Sequence, residues 1–144
     1  MSLPTKPPSD TGIRFLLADD DIINQRIFEE LIRAMGNSVD VVENGQLAVE
    51  QYLLKSYDVI LLDICMPVMN GLDCAREIRK IEHIDHVVSP VTIIGCTMNS
   101  SAEFYVVCRE SGMDGVMVKP PSVRKLETVI KMAMRRCQLA GNQV

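Results

Sequence analysis

Four apolar runs in this sequence each end on polar side chains suited to phosphoryl chemistry. The run from Ile13 to Ala18 leads into Asp19, Asp20 and Asp21, and Val59-Ile60-Leu61-Leu62 ends in Asp63. The run from Val91 to Cys96 ends in Thr97, and Val116-Met117-Val118 ends in Lys119. Carboxylates that converge in one crevice repel one another and take up protons unless a hard cation compensates them. An all-oxygen ligand set selects Mg²⁺ over softer metals. A carboxylate can also attack phosphorus to give an aspartyl phosphate, provided the charge on the phosphoryl oxygens is neutralised. Mg²⁺ and Lys119 would supply that positive charge, and the Thr97 hydroxyl a hydrogen bond.

Each residue also has an ordinary explanation when taken singly. An acidic run such as Asp19-Asp20-Asp21 commonly starts a helix, where it complements the positive end of the helix dipole. Asp63 could cap the following helix, Thr97 close a strand, and Lys119 lie on the surface before Pro120. It is their joint placement, one group or pair at the end of each of four strands, that outweighs these explanations.

The elements that would position them alternate regularly. After the first strand, Ile23, Ile27, Leu31 and Ala34 recur at helical spacing, and Gly36 stands where a left-handed cap is wanted. Val39, Val41 and Val42 predict a second strand, Asn44-Gly45 a turn, and Ala48, Val49, Tyr52 and Leu53 the buried stripe of a second helix. Beyond Asp63, Pro67 and Asn70-Gly71 break the chain before a third helix marked by Leu72, Ala75, Ile78 and Ile81. A polar connection over residues 82–90 holds His83 and His86, which read as exposed. After Thr97 a helix starts near Ser100, with Glu103 placed for a capping box. Ser122 caps a last helix with the stripe Val123, Leu126, Ile130, Ala133 and Cys137. Five strands and five helices in alternation predict an α/β fold, a single-domain doubly wound parallel sheet with helices on both faces. Ligands of such sheets sit beyond the C-terminal strand ends, where all four polar groups fall.

Composition sets the outer bounds. A chain of 144 residues makes one domain, expected over residues 12–139, with a disordered N-terminal tail at 1–11 and a flexible C-terminal tail at 140–144. With 47% apolar but only 4% aromatic residues and no Trp, the core must be aliphatic. A net charge of −4 disfavours nucleic acid and anionic lipid as partners. No stretch reads as a signal peptide or membrane span, so the expected compartment is the cytoplasm, with the nucleus as the other candidate. The five cysteines are odd in number and lack paired close spacing, so they read as reduced, buried and small apolar side chains. The segment from Phe104 to Cys108 is too apolar for one helix face, which leaves part exposed or the whole packed. Arg124, Lys125, Lys131, Arg135 and Arg136 read as the solvated face of the last helix.

In combination, the acidic pair after strand one, Asp63-Ile64-Cys65-Met66-Pro67 with Gly71, Thr97, and Lys119-Pro120 give this sequence its resemblance to a known family. It resembles the receiver domain of two-component response regulators, the CheY-like family, over about residues 14–137. The resemblance implies a flavodoxin-like sheet of strand order 2-1-3-4-5 with five helices. It implies Asp63 as phosphoacceptor, Asp20 as a direct Mg²⁺ ligand, Asp19 as a ligand through water, and the Cys65 backbone carbonyl as a further ligand. Thr97 and Lys119 would bind the phosphoryl group. The implied donor is a phosphohistidine on a histidine kinase or histidine phosphotransfer protein, and a downstream protein would read helix four, strand five and helix five, including Phe104, Tyr105, Val106 and the region of Val116. Such a protein is a signalling phosphoacceptor that catalyses no reaction beyond its own phosphorylation and dephosphorylation. Val116 stands where the family often has Tyr or Phe, Met98 where a small residue is usual, and Cys65 and Asn99 where the phosphoryl lifetime is tuned.

Other readings share some of these residues. A haloacid-dehalogenase-type phosphatase would use Asp19 and Asp21 as its Asp-x-Asp start, but the further acidic pair it needs after the lysine is missing from the sequence. A flavin-binding relative would need a Gly- or Ser/Thr-rich phosphate loop after strand one, which is absent. The chain ends read as those of a free-standing phosphorelay component, with a receiver excised from a hybrid histidine kinase as the alternative.

Overall fold

The computed structural model describes residues 12–141, with side chains described to residue 136. The expected tails fall wholly or partly outside that range. Ten elements alternate along the chain: β1 (Arg14–Ala18), α1 (Ile22–Ala34), β2 (Ser38–Val42), α2 (Gly45–Leu54), β3 (Val59–Asp63), α3 (Gly71–Ile84), β4 (Thr92–Thr97), α4 (Ala102–Glu110), β5 (Gly115–Val118) and α5 (Val123–Gly141). The strands form one parallel sheet of order β2-β1-β3-β4-β5, as the resemblance implied.

Because side chains alternate across a strand, β1 and β3 feed two separate cores. Leu16, Ala18, Ile60 and Leu62 face α2, α3 and α4, where Ala48, Val49, Cys74, Ile78 and Cys108 complete one core. Phe15, Leu17, Val59 and Leu61 face α1 and α5, where Phe28, Ile32, Leu126, Val129 and Ala133 complete the other. Both faces of the sheet are covered, which is why its inner strands β1, β3 and β4 are apolar along most of their length rather than in alternation. Each large side chain buried there contributes roughly 1.5–3 kcal/mol relative to exposure.

Several local expectations are corrected. On α1 the buried stripe is Phe28 and Ile32, whereas Ile23 is 66% exposed and Ile27 and Ala34 also face outward. The helix carries two apolar stripes, and only tertiary packing selects between them. Asn44-Gly45 is not a turn ahead of its helix but the helix start itself, and Asn70-Gly71, read as a chain break, likewise begins α3. Asn44 accepts a hydrogen bond from the Leu47 N–H and Asn70 from the Asp73 N–H, so each asparagine satisfies an end donor. The cap of α4 is Ser101, which accepts from the Phe104 N–H, so Glu103 falls one position short of a capping box. Helix α3 extends through Glu82, His83 and Ile84, leaving a shorter connection than 82–90. Gly36 does follow α1 at φ +87°, the left-handed conformation expected of a C-terminal cap.

Candidate functional site

The C-terminal edge of the sheet gathers the carboxylates because β1 and β3 are neighbours in register, Ala18 lying opposite Leu62. Asp19 and Asp63 thus leave the sheet side by side. Ligand oxygens of Asp19, Asp20 and Asp63 all lie within 4.8 Å of one another. Asp19 is fully buried, Asp63 partly so, and Asp20 exposed, so the cluster opens to solvent on one side.

Local hydrogen bonds fix Asp19. One of its carboxylate oxygens accepts from the Asp21 N–H at 2.9 Å, its carbonyl accepts from the Gln25 side-chain amide at 2.6 Å, and its own N–H donates to the Val42 carbonyl at 3.1 Å. Asp21 turns the other way and caps α1 by accepting from the Ile23 N–H, so the ordinary explanation of an acidic run holds for that residue alone.

Lys119 comes from the far side of the site. Its backbone N–H donates to the Thr97 carbonyl at 2.8 Å, which carries the β4–β5 pairing one residue beyond β5. Its ammonium lies 3.2 Å from Asp19 Oδ2 and 3.1 Å from Asp63 Oδ1. Burial lowers the proton affinity of that ammonium, but the charge of Asp19 and the hydrogen bond to Asp63 outweigh it, so the lysine is held charged above its usual range. Asp63 moves upward as well. Burial and then the like charge of Asp19 raise it, and the Lys119 hydrogen bond does not cancel them.

The remaining expected residues lie on the same edge. Thr97 ends β4, one residue past Cys96, the partner of Asp63 in the adjacent strand. Its hydroxyl accepts from the Asn99 N–H at 3.0 Å. Cys65 lies two residues beyond Asp63 in the β3–α3 loop with its thiol exposed, which corrects the expectation that the cysteines are buried; Cys74, Cys96 and Cys108 are buried as expected. Burial pushes the Cys74 and Cys96 thiols up to about 12. Met98, next to Thr97, is 77% exposed.

A divalent cation fits this donor set on charge and chemistry. Three carboxylates facing one ammonium leave two negative charges uncompensated, and every side-chain donor is a hard oxygen. Burial is the main cause of the raised proton affinity of Asp63, and the like charge of Asp19 adds to it, so part of that proton uptake expresses the same imbalance.

Two supporting residues escaped the sequence reading. The sequence pattern assigns no role to Gln25, and it reads Lys125 as part of a solvated face. The ammonium of Lys125 instead donates to the carbonyls of Val118 and Pro120. Arg136 is also misplaced on that face, since it pairs with Asp114 at the opposite edge of the sheet.

Among the described residues no helix is long and apolar enough to cross a membrane. The model of the response regulator receiver domain matches residues 15–131. Hybrid signal transduction histidine kinase K of Dictyostelium discoideum is 30% identical over 129 residues, covering 88% of this chain and 11% of the kinase. Curated relatives of this kind are long, and the chain spans between 5% and 16% of their length. The receiver domain of sensor histidine kinase PA1611 from Pseudomonas aeruginosa PAO1, solved with a magnesium ion in its active site cleft, is 30% identical. It superposes with a TM-score of 0.75 over 87% of this chain and 99% of that one. A chain in the co-crystal of the Saccharomyces cerevisiae histidine phosphotransfer protein Ypd1 with the receiver domain of Ssk1 is 27% identical, with a TM-score of 0.79 over 90% of this chain and 92% of that one. With the fold, the strand-end carboxylates and the family match in agreement, this chain belongs to the response regulator receiver domain family of two-component signalling.

Proposed function

We propose that Asp63 accepts a phosphoryl group from a phosphohistidine on a histidine kinase or histidine phosphotransfer protein, in a step that requires Mg²⁺. The observation that carries this reading is the ammonium of Lys119 bridging Asp19 and Asp63 at 3.2 and 3.1 Å. A cation so placed favours the ionised carboxylate against burial and the charge of Asp19, and it can follow the negative charge onto an incoming phosphoryl group.

In the proposed reaction an oxygen of Asp63 forms the new bond to phosphorus as the bond from phosphorus to the imidazole nitrogen breaks. The imidazole leaves with the electron pair of that bond. Lys119 then pairs with a phosphoryl oxygen. Thr97 Oγ1 already accepts from Asn99, and its own proton can turn towards a second phosphoryl oxygen. Asp19, Asp20, Asp63 and the Cys65 carbonyl would hold Mg²⁺, which supplies the remaining positive charge when bound.

A protein donor suits the exposed apolar side chains next in sequence to the site residues: Ile22 and Ile23 at the start of α1, Val68 in the β3–α3 loop and Met98 after Thr97. The proposed readout face is α4, β5 and α5, where Tyr105, Val106 and Val107 are exposed rather than packed. Val116 is part-buried against the core, so transmission to that face proceeds without an aromatic ring at this position. We read the compartment as the cytoplasm, with the nucleus as the alternative. The hybrid kinases among the relatives favour one second reading, a receiver that acts as one segment of such a kinase.

Intact-mass measurement with acetyl phosphate and Mg²⁺ tests the reading. One phosphoryl group is expected on the wild type and none on Asp63→Asn or after chelation of Mg²⁺. Equal labelling of Asp63→Asn would move the acceptor elsewhere.

A further inference from the structure

The loop that delivers Lys119 is poor in hydrogen-bond donors. In the sequence Lys119-Pro120-Pro121-Ser122, two successive residues lack a backbone N–H, so the loop cannot close on itself through main-chain bonds as most turns do. The Lys119 N–H is already committed to the Thr97 carbonyl at 2.8 Å. The carbonyls of Val118 and Pro120, on either side of Lys119, must therefore find donors elsewhere.

Lys125 supplies them. Its ammonium donates to the Val118 carbonyl at 2.7 Å and to the Pro120 carbonyl at 2.8 Å, clamping the residues before and after Lys119. Its position in the helix is otherwise unfavourable. Ser122 caps α5 by accepting from the Lys125 N–H at 3.2 Å, which places Lys125 in the first turn, where the helix dipole disfavours a cation and a Glu would complete a capping box. A lysine there gains its place from the two carbonyls. Lys125 is half-buried and lines the groove between β5 and α5 together with Val116, Val118 and Met132.

We propose that Lys125 is a positioning residue for phosphoryl transfer: by bridging the carbonyls of Val118 and Pro120 it holds the loop that aims the Lys119 ammonium between Asp19 and Asp63. It touches none of the reacting groups and acts through Lys119. The catalytic part of this inference rests on the proposed role of Asp63, whereas the clamp itself can be read without any phosphoryl transfer.

Lys125→Met keeps the stem and removes the donors; Lys125→Arg keeps a cation that can reach two acceptors. Amide hydrogen exchange in metal-free protein provides the first test. Lys125→Met should lose protection at the Lys119 N–H by about tenfold, while the Asp114 N–H, bonded to the Ile93 carbonyl at the other end of β5, keeps its protection. Unchanged protection at Lys119, or equal loss at both amides, overturns the clamp. The second test is phosphorylation by acetyl phosphate. Lys125→Met should lower the maximal rate about five- to tenfold with the Mg²⁺ concentration for half-maximal rate unchanged, and Lys125→Arg should restore most of it. A wild-type rate in Lys125→Met, or a loss that Lys125→Arg does not restore, overturns the positioning role. Failure of the wild type itself to take up phosphoryl would instead count against the function of Asp63 and leave the exchange result to decide the clamp.

Discussion

Asp63 illustrates how a single side chain can be costly to the fold in which it sits. Its proton affinity is raised by burial and by the charge of Asp19, so the native state binds its proton more tightly than the unfolded chain does. Ionising it therefore costs stability. The cost is absent below the ordinary carboxylate pKa, where both states are protonated, and grows as pH rises through the raised pKa of the folded form. In metal-free buffer, Asp63→Asn should melt above the wild type near pH 7, with the difference shrinking as pH falls towards about 4, as followed by thermal denaturation. Saturating Mg²⁺ should raise the melting temperature of the wild type and much less that of the variant, because ligand binding to the native state alone stabilises it. A variant that melts below the wild type at neutral pH would mean that the Lys119 pair outweighs the burial of this carboxylate.

Among the elements, α3 is the one most directly geared to Asp63. Its first residue, Gly71, donates its N–H to the Ile64 carbonyl at 3.0 Å, and a Cβ at Gly71 would fall 2.5 Å from the Asp63 carbonyl oxygen. Gly71→Ala must push the helix start away from β3, and we expect a loss of about 1–3 kcal/mol in urea denaturation together with slower phosphorylation of Asp63. Asn70→Ala removes only the cap and should cost about 1 kcal/mol with phosphorylation little changed. The same element marks how far the sequence could be read. The apolar run before Asp63 and the periodicity after it identified strand and helix, because these are local patterns. The capping role of Asn70 was hidden, since Asn-Gly carries the same local preferences in a turn as at a helix start. On α1 the two apolar stripes are equally periodic, and the choice of Phe28 and Ile32 depends on which face meets the sheet.

The molecule as a whole has two unlike ends. Opposite the carboxylate cluster, Glu82 in α3 is only 4% exposed and accepts from Tyr52 of α2 at 2.9 Å and from the Val91 N–H at 2.7 Å. Arg79 bonds Glu82 at 2.6 Å and Asp114 at 2.8 Å, and Arg136 of α5 joins Asp114 from the other side. Two carboxylates and two guanidiniums thus tie α2, α3, α5 and the entries to β4 and β5 together. Tyr52→Phe should cost about 1–3 kcal/mol, since it leaves a buried acceptor short of a donor, and Glu82→Ala about 3–5 kcal/mol, since it strips Arg79 of its buried partner; chemical denaturation measures both. None of this was legible in the sequence, where Glu82 reads as the start of a polar connection and Arg136 as a solvated residue. Tyr52 and Glu82 are 30 residues apart, on α2 and α3, so no local pattern in the sequence links them. The carboxylate edge was far more legible, because its residues sit directly at the ends of recognisable strands.

A sheet clamped at one rim and electrostatically unsettled at the other should be stiffer towards the clamped rim, which hydrogen exchange along the strands would show. Any ligand that quiets the unsettled rim should be felt first in the loops beyond Ala18, Asp63, Thr97 and Val118. The clamped rim, its ions already matched, acts as the anvil against which those loops close.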